Sequence, residues 1–198
     1  MRGMTLIETL VALGVFMIVI VAVCSYQVSV YSNNRVISGN LQTAQEAQVI
    51  LKTLLTELRA AAPAADGSYT IASASTSSIS FFADPDNDGQ TEKITYTLVG
   101  TKLYRAIIQP TGTPPVYNSA TQATSSVLTD VRNGTSSPVF QYYDQNYTGT
   151  SSPLTMPVSV QSIRLIQISL ALDVYINQEP LVRTYTTQVS LRNLKTNL

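Results

Sequence analysis

The sequence contains no histidine, no tryptophan and a single cysteine, and each shortage removes a class of function. Histidine is the commonest side-chain general base and zinc ligand, so its absence excludes Ser-His hydrolytic sites and His-based zinc centres. The lone Cys24 rules out an intramolecular disulfide and any cysteine-cluster metal site. Charge is sparse as well: 12 Lys and Arg balance 12 Asp and Glu, so the net charge is zero. Without a basic surplus to neutralise phosphate, nucleic acid is not the expected partner. A chain of 198 residues suits one domain with an appendage better than two full domains.

What is present in excess is apolar sequence at the amino terminus. From Met4 to Val23 the chain reads MTLIETLVALGVFMIVIVAV, Cys24 follows, and Glu8 is the only ionisable side chain before that cysteine. As a helix, Met4 to Cys24 would span about 31 Å, matching the hydrocarbon core of a bilayer. A cleaved secretory signal fits poorly, because the run is long and Ala22-Val23-Cys24-Ser25-Tyr26 offers no Ala-x-Ala site. A lipoprotein signal would lipidate Cys24, yet Val23 stands where a small residue belongs; a small apolar residue on a membrane helix describes Cys24 better. Neither reading explains Glu8. A carboxylate unpaired in mid-membrane costs about 2.5–3.5 kcal/mol, so Glu8 calls for a cationic partner. Arg2 is the only basic side chain nearby, and cleavage after Gly3 would create a second cation, the α-amino group of Met4. That ammonium can pair with Glu8 of its own chain or of a neighbour, and a pair between chains fixes their axial register.

Arg2-Gly3-Met4-Thr5-Leu6-Ile7-Glu8, followed by Leu10-Val11-Ala12-Leu13, resembles the class III signal of type IV pilins and type II secretion pseudopilins. The resemblance covers about the first 25 residues and runs position by position. It implies that a prepilin peptidase cuts after Gly3 and methylates the new amine on Met4, and that Glu8 serves filament assembly. Many major pilins carry a proline near the end of the apolar run, whereas none occurs here before Pro63. By this resemblance residues 1–3 are a leader, 4–25 the transmembrane and filament-core helix, 26–62 its amphipathic continuation, and 63–198 a β-rich periplasmic or extracellular domain.

No proline interrupts residues 1–62. Gln27 to Asn40 is polar and rich in Ser and Asn, so a weak point or break is expected around Asn33-Asn34 and Gly39-Asn40. Beyond it, Leu41, Ala44, Ala47, Leu51, Leu54, Leu55, Leu58 and Ala62 recur at helical spacing, while Gln42, Gln45, Glu46, Lys52, Thr56 and Glu57 occupy the other side. This is an amphipathic helix whose stripe packs on a sheet or a partner helix, and Pro63 with Ala64-Ala65-Asp66-Gly67 stops it.

Past Gly67 the period shortens to two. Ile79–Ala83, Lys93–Val99, Leu103–Ile108 and Val139–Tyr143 read as strands, and Gln109 to Ser126 as a long Pro/Thr/Gly/Ser loop. In the clearest strand Ile166, Ile168, Leu170, Leu172, Val174 and Ile176 alternate with Gln167, Ser169, Asp173 and Tyr175 on a wetter face; Asn177–Pro180 turns it back into Val182–Leu191. The fold class expected is α+β, a long N-terminal helix packed on an antiparallel sheet, as in pilin-like proteins. The Tyr96/Leu103-Tyr104-Arg105 hairpin and the closing Val189-Ser190-Leu191-Arg192-Asn193 look like the J-type minor pseudopilins or W-type minor pilins.

Three groups of residues invite a chemical reading. Asp84-Pro85-Asp86-Asn87-Asp88-Gly89 sets carboxylates at alternate positions before a glycine, as in a calcium loop; Glu92 stands at the ninth position and Thr95 at the twelfth. The plainer alternative is a hairpin turn in which Asp, Asn and Gly tolerate positive φ. Asn133-Gly134-Thr135 and Asn146-Tyr147-Thr148 fit the glycosylation acceptor rule. Tyr142, Tyr143 and Tyr147 cluster beside Phe140, as a contact surface or as the edge of a core. No spacing of carboxylates suggests a catalytic dyad. The expected function is therefore structural: a minor pilin or pseudopilin of the bacterial inner membrane, inserted with Arg2 in the cytoplasm. It would join other pilins in a heteromeric filament and act in initiation or at the tip. The rival is a membrane-anchored or lipidated binding domain that never polymerises; an anchored hydrolase is a distant third.

Overall fold

The computed structural model describes residues 5–173 and 182–191, with backbone only over 32–41. Gly3 and Met4, the end of the long strand at Val174–Ile176, the turn Asn177–Pro180 and the closing Arg192-Asn193 lie outside the described residues. Helix α1 spans Leu6–Arg59, and the chain divides into two compact units, Met1–Gln42 and Thr43–Leu198.

In the first unit Leu6 to Tyr31 form a stretch with mean hydropathy 2.8 and no buried residue. A helix apolar on every side needs lipid or other apolar helices around it. By length and composition this one can cross a membrane: its 26 residues span about 39 Å, enough with modest tilt. The break expected near Asn33-Asn34 and Gly39-Asn40 does not occur, since the backbone stays helical through those positions.

The second unit is α+β. Ala47, Leu51, Leu54 and Leu58 make the buried stripe, joined by Ala61 just past the helix end. They share one core with Ile79, Phe81, Ile94 and Tyr96 from one sheet and Phe140, Ile166, Ile168 and Leu170 from another. The helix stops at Arg59, before Pro63, and Ala62 donates to the Phe82 carbonyl instead of continuing the helical ladder. Where one antiparallel sheet was expected there are two principal ones. The larger contains β1 (Ile71–Ala74), β2 (Ser78–Ala83), β3 (Glu92–Val99), β4 (Lys102–Ile108) and β7 (Ala123–Leu128), in the order β1-β2-β3-β4-β7. The smaller has the order β10-β9-β8, with β8 at Phe140–Tyr143, β9 at Leu165–Asp173 and β10 at Val182–Ser190. A two-stranded ribbon, β5 (Pro110–Thr111) with β6 (Val116–Tyr117), lies in the segment expected to be loop.

The rest of that segment also departs from expectation, for β7 runs through it and pairs with β4 from Ile107↔Ala123 to Leu103↔Leu128. Strand β1, which small polar residues conceal, pairs with β2. The two main sheets are tied together where Phe140 donates its backbone N–H to Thr76 and the Tyr142 hydroxyl donates to Ser75 at 2.8 Å. Phe140, Tyr142 and Tyr143 are buried, whereas Tyr147, half-buried, packs on Tyr143 with ring centroids 4.3 Å apart, so the tyrosine cluster forms the edge of the core.

Candidate functional site

Two places in the described chain hold groups that packing alone does not explain. The first is the start of α1. Thr5 precedes the helix, its carbonyl accepts the Thr9 N–H at 3.2 Å, and Glu8 falls in the first turn. There the carboxylate meets the positive end of the helix dipole, worth about 0.3–1 kcal/mol at an exposed site. That gain is smaller than the cost of an unpaired carboxylate in hydrocarbon, about 2.5–3.5 kcal/mol at mid-membrane and less toward the end of a span. Glu8 thus keeps its need for a cation even with the dipole counted.

The second is the mouth of the β2–β3 hairpin. Asp84, Asp86 and Asp88 each offer a carboxylate oxygen, and these lie within 4.8 Å of one another. The backbone fixes them there. Asp84 accepts the Asp88 N–H at 3.1 Å and the Gly89 N–H at 2.9 Å, while Asp88 accepts the Gln90 N–H at 2.8 Å. Asn87 at φ 61° and Gly89 at φ 88° supply the left-handed turns that bring the loop round, which Asn and Gly accept with least strain. These residues thus form the turn that connects β2 to β3. That turn accounts for Asp84, Asn87, Asp88 and Gly89.

It does not account for Glu92. This residue pairs in register with Ala83, the neighbour of Asp84, and shares the buried side of β3 with Ile94 and Tyr96. It is 2% exposed, and its Oε2 has no hydrogen-bond partner. Burial raises its pKa, and the charges of Asp86, Asp88 and Asp84 raise it further. Thr95, at the twelfth loop position, is excluded as a ligand because its hydroxyl bonds to that of Ser80 at 2.8 Å on the other face of the strand. Beside the site, the Tyr117 hydroxyl donates to the Thr91 carbonyl and accepts the Ala65 N–H at 3.1 Å, which holds the residue before Glu92.

Two further charged groups break with expectation. Glu57, placed on the wet side of the helix by sequence, is 6% exposed and forms an ion pair with Arg105. Its Oε2 also accepts the Tyr96 hydroxyl at 2.8 Å. Burial, the Glu57 charge and this hydrogen bond all push the Tyr96 pKa far above the usual tyrosine value. For Arg105 burial works the other way, but the hydrogen bond and charge of Glu57 outweigh it and raise the guanidinium pKa. Asp173, expected on the wetter face of its strand, is 4% exposed and pairs with Arg132 at 3.0 Å. The only hint of the first pair in the sequence is helical phase, since Ile50, Leu54 and Glu57 lie on one line of α1. Both pairs join distant segments and read as core ties rather than reactive groups.

Asn133, one of the two glycosylation acceptor candidates, is engaged otherwise. Its amide nitrogen donates to Ser137 and Ser169 at 2.9 and 2.8 Å, and its oxygen accepts the Ala171 N–H at 2.8 Å. Asn146 is exposed and bonds to Asp144 at 3.1 Å. Compared with known proteins, the chain matches no family model and no curated sequence.

Proposed function

We propose that this chain is a minor pilin or pseudopilin, a structural subunit that enters a type IV pilus or a type II secretion pseudopilus through its N-terminal helix. The observation that carries the reading is Glu8: a lone carboxylate in the first turn of a helix that is apolar and exposed on every side from Leu6 to Tyr31. A plain membrane anchor gains nothing from an acid at that position, whereas a subunit of a helical bundle gains an axial register from it. In this account a prepilin peptidase cuts after Gly3, the amine of Met4 becomes the N-terminus, and Glu8 pairs with that amine on a neighbouring subunit. Lipid surrounds the apolar stretch before assembly, and neighbouring helices do so afterwards. The β-rich unit then faces the periplasm or the exterior. A structural role suits a sequence with no histidine, whose buried Glu57 and Asp173 are committed to ion pairs.

The test separates pairing from processing. Glu8→Ala should be cut after Gly3 as efficiently as the wild type. Its yield in crosslinked oligomers with co-expressed pilin subunits should fall about tenfold or more, the factor expected from losing a charge-assisted bond of about 1.5–3 kcal/mol. Incorporation at the wild-type level would refute the pairing role of Glu8.

A further inference from the structure

A hairpin turn needs the aspartates that cap its own N–H groups; it does not need a buried glutamate behind them. Glu92 occupies an inward position of β3 that an apolar side chain would fill at lower cost, next to Ile94 and Tyr96. Its Oε2 is one of two buried side-chain polar atoms without a partner among the described residues. Such an atom is costly unless something outside the chain satisfies it. Among the described residues no cationic side chain takes that role at Glu92: Arg105 pairs with Glu57 and Arg132 with Asp173. What lies beside Glu92 instead is the acidic loop, for its strand partner Ala83 is followed directly by Asp84 of the Asp84, Asp86 and Asp88 cluster. The three clustered aspartates repel one another in an empty site and become ligands in a filled one, with Glu92 as the carboxylate that the strand would add.

We propose that Asp84, Asp86, Asp88 and Glu92 bind one calcium ion at the mouth of the β2–β3 hairpin. The donors are all oxygen, which selects a hard cation. They come from a short loop and a strand rather than from a rigid octahedral cage, and calcium accepts six to eight oxygens with loose geometry where magnesium demands a near-ideal octahedron. Asp84, Asp86 and Asp88 take the first, third and fifth loop positions. Glu92, at the ninth, supplies the carboxylate from the strand that Thr95 cannot. Bound calcium would lock β2 to β3 at their turn end, just past the Ala83–Glu92 pair. The proposal is independent of the filament reading and holds equally for a subunit or a simple anchored domain.

The experiment uses the full chain, purified in detergent, stripped with EGTA and titrated with calcium chloride by calorimetry and by thermal melting. Binding is expected with Kd on the order of 10⁻⁴–10⁻³ M, as in extracellular calcium modules. At about 10 mM calcium the midpoint of the β-rich unit should rise by about 3–10 °C. Magnesium at the same concentration should bind more weakly. Glu92→Gln and the double variant Asp86→Asn/Asp88→Asn should each lose tenfold or more in calcium affinity. Glu92→Gln should also melt no lower than the wild type in EGTA, since it removes an uncompensated charge, and the order should reverse in calcium. A wild-type chain with no heat of binding and the same midpoint in calcium and EGTA overturns the proposal. So does a Glu92→Gln variant that binds as tightly as wild type, or a site that prefers magnesium. Should the double variant fail to fold, the wild-type titration and Glu92→Gln still decide.

Discussion

Removing Glu57 alone should be among the costliest single changes in the β-rich unit. It leaves the Arg105 guanidinium without its counter-charge and the Tyr96 hydroxyl without an acceptor, both in a largely dry site. Glu57→Ala is expected to cost about 3 kcal/mol in urea unfolding of the full chain in detergent. Replacing both partners, as in Glu57→Leu/Arg105→Met, should recover most of that loss, because the pair itself contributes little beyond what apolar packing offers. A double variant as unstable as the single one would show that the ion pair, and not the orphaned charge, sets the cost. Tyr142 makes a second prediction, this time in pH. Burial pushes its pKa far above the ordinary value of 10.0. The folded state therefore keeps the phenol proton where the unfolded chain releases it. Its contribution to stability is complete below pH 10 and is lost as the pH rises above that value. Tyr142→Phe should lose about 1 kcal/mol at neutral pH with the bond to Ser75, yet show a shallower decline of stability above pH 10. An alkaline decline as steep as that of the wild type would contradict the burial argument.

Among the elements, Asn133 shows how a side chain can extend a sheet. Strand β8 pairs with β9 only from Leu165 to Ile168. Beyond Ile168 the segment around Asn133 takes over: Val131 bridges Leu172, the Arg132 N–H reaches Ala171, and the Asn133 amide bonds on both sides of Leu170. Asn133→Ala should cost about 2 kcal/mol and leave β10 pairing intact. Hydrogen exchange is expected to rise at Ala171 while the amides of Ile166 and Ile168 stay protected. Uniform loss of protection along β9 would mean that the loop and the strand open as one unit.

The same elements mark what the sequence reveals. Strands β3, β4 and most of β9 are legible because apolar residues alternate with Thr, Lys and Gln, and the stripe Ala47, Leu51, Leu54, Leu58 is legible as helix. Strands β1 and β7 are not, because Ala72-Ser73 and Ala123-Thr124-Ser125-Ser126 are small, polar and exposed; they become strands by completing the edges left by β2 and β4. Glu57 and Asp173 were misplaced for a different reason. A lone charge reads as solvated unless its partner is visible, and Arg105 lies 48 residues away from Glu57, Arg132 41 from Asp173. The acidic loop was legible as a pattern, but the burial of Glu92, which turns the pattern into a candidate ligand set, is a property of the fold.

For the molecule as a whole the two units have opposite needs. The β-rich unit covers its own helical stripe with two sheets and contains a complete core. The first unit covers nothing, and its apolar residues from Leu6 to Tyr31 wait for lipid or for other helices. The proposed function joins these facts through processing at Gly3 and pairing at Glu8. Intact mass and N-terminal sequencing of the chain, recovered from membranes that contain a prepilin peptidase, test that central claim most directly. The account predicts a chain that begins at Met4 with a methylated amine. A chain that begins at Met1, or at a lipidated Cys24, would contradict it and leave an anchored domain in which Glu8 has no assembly role.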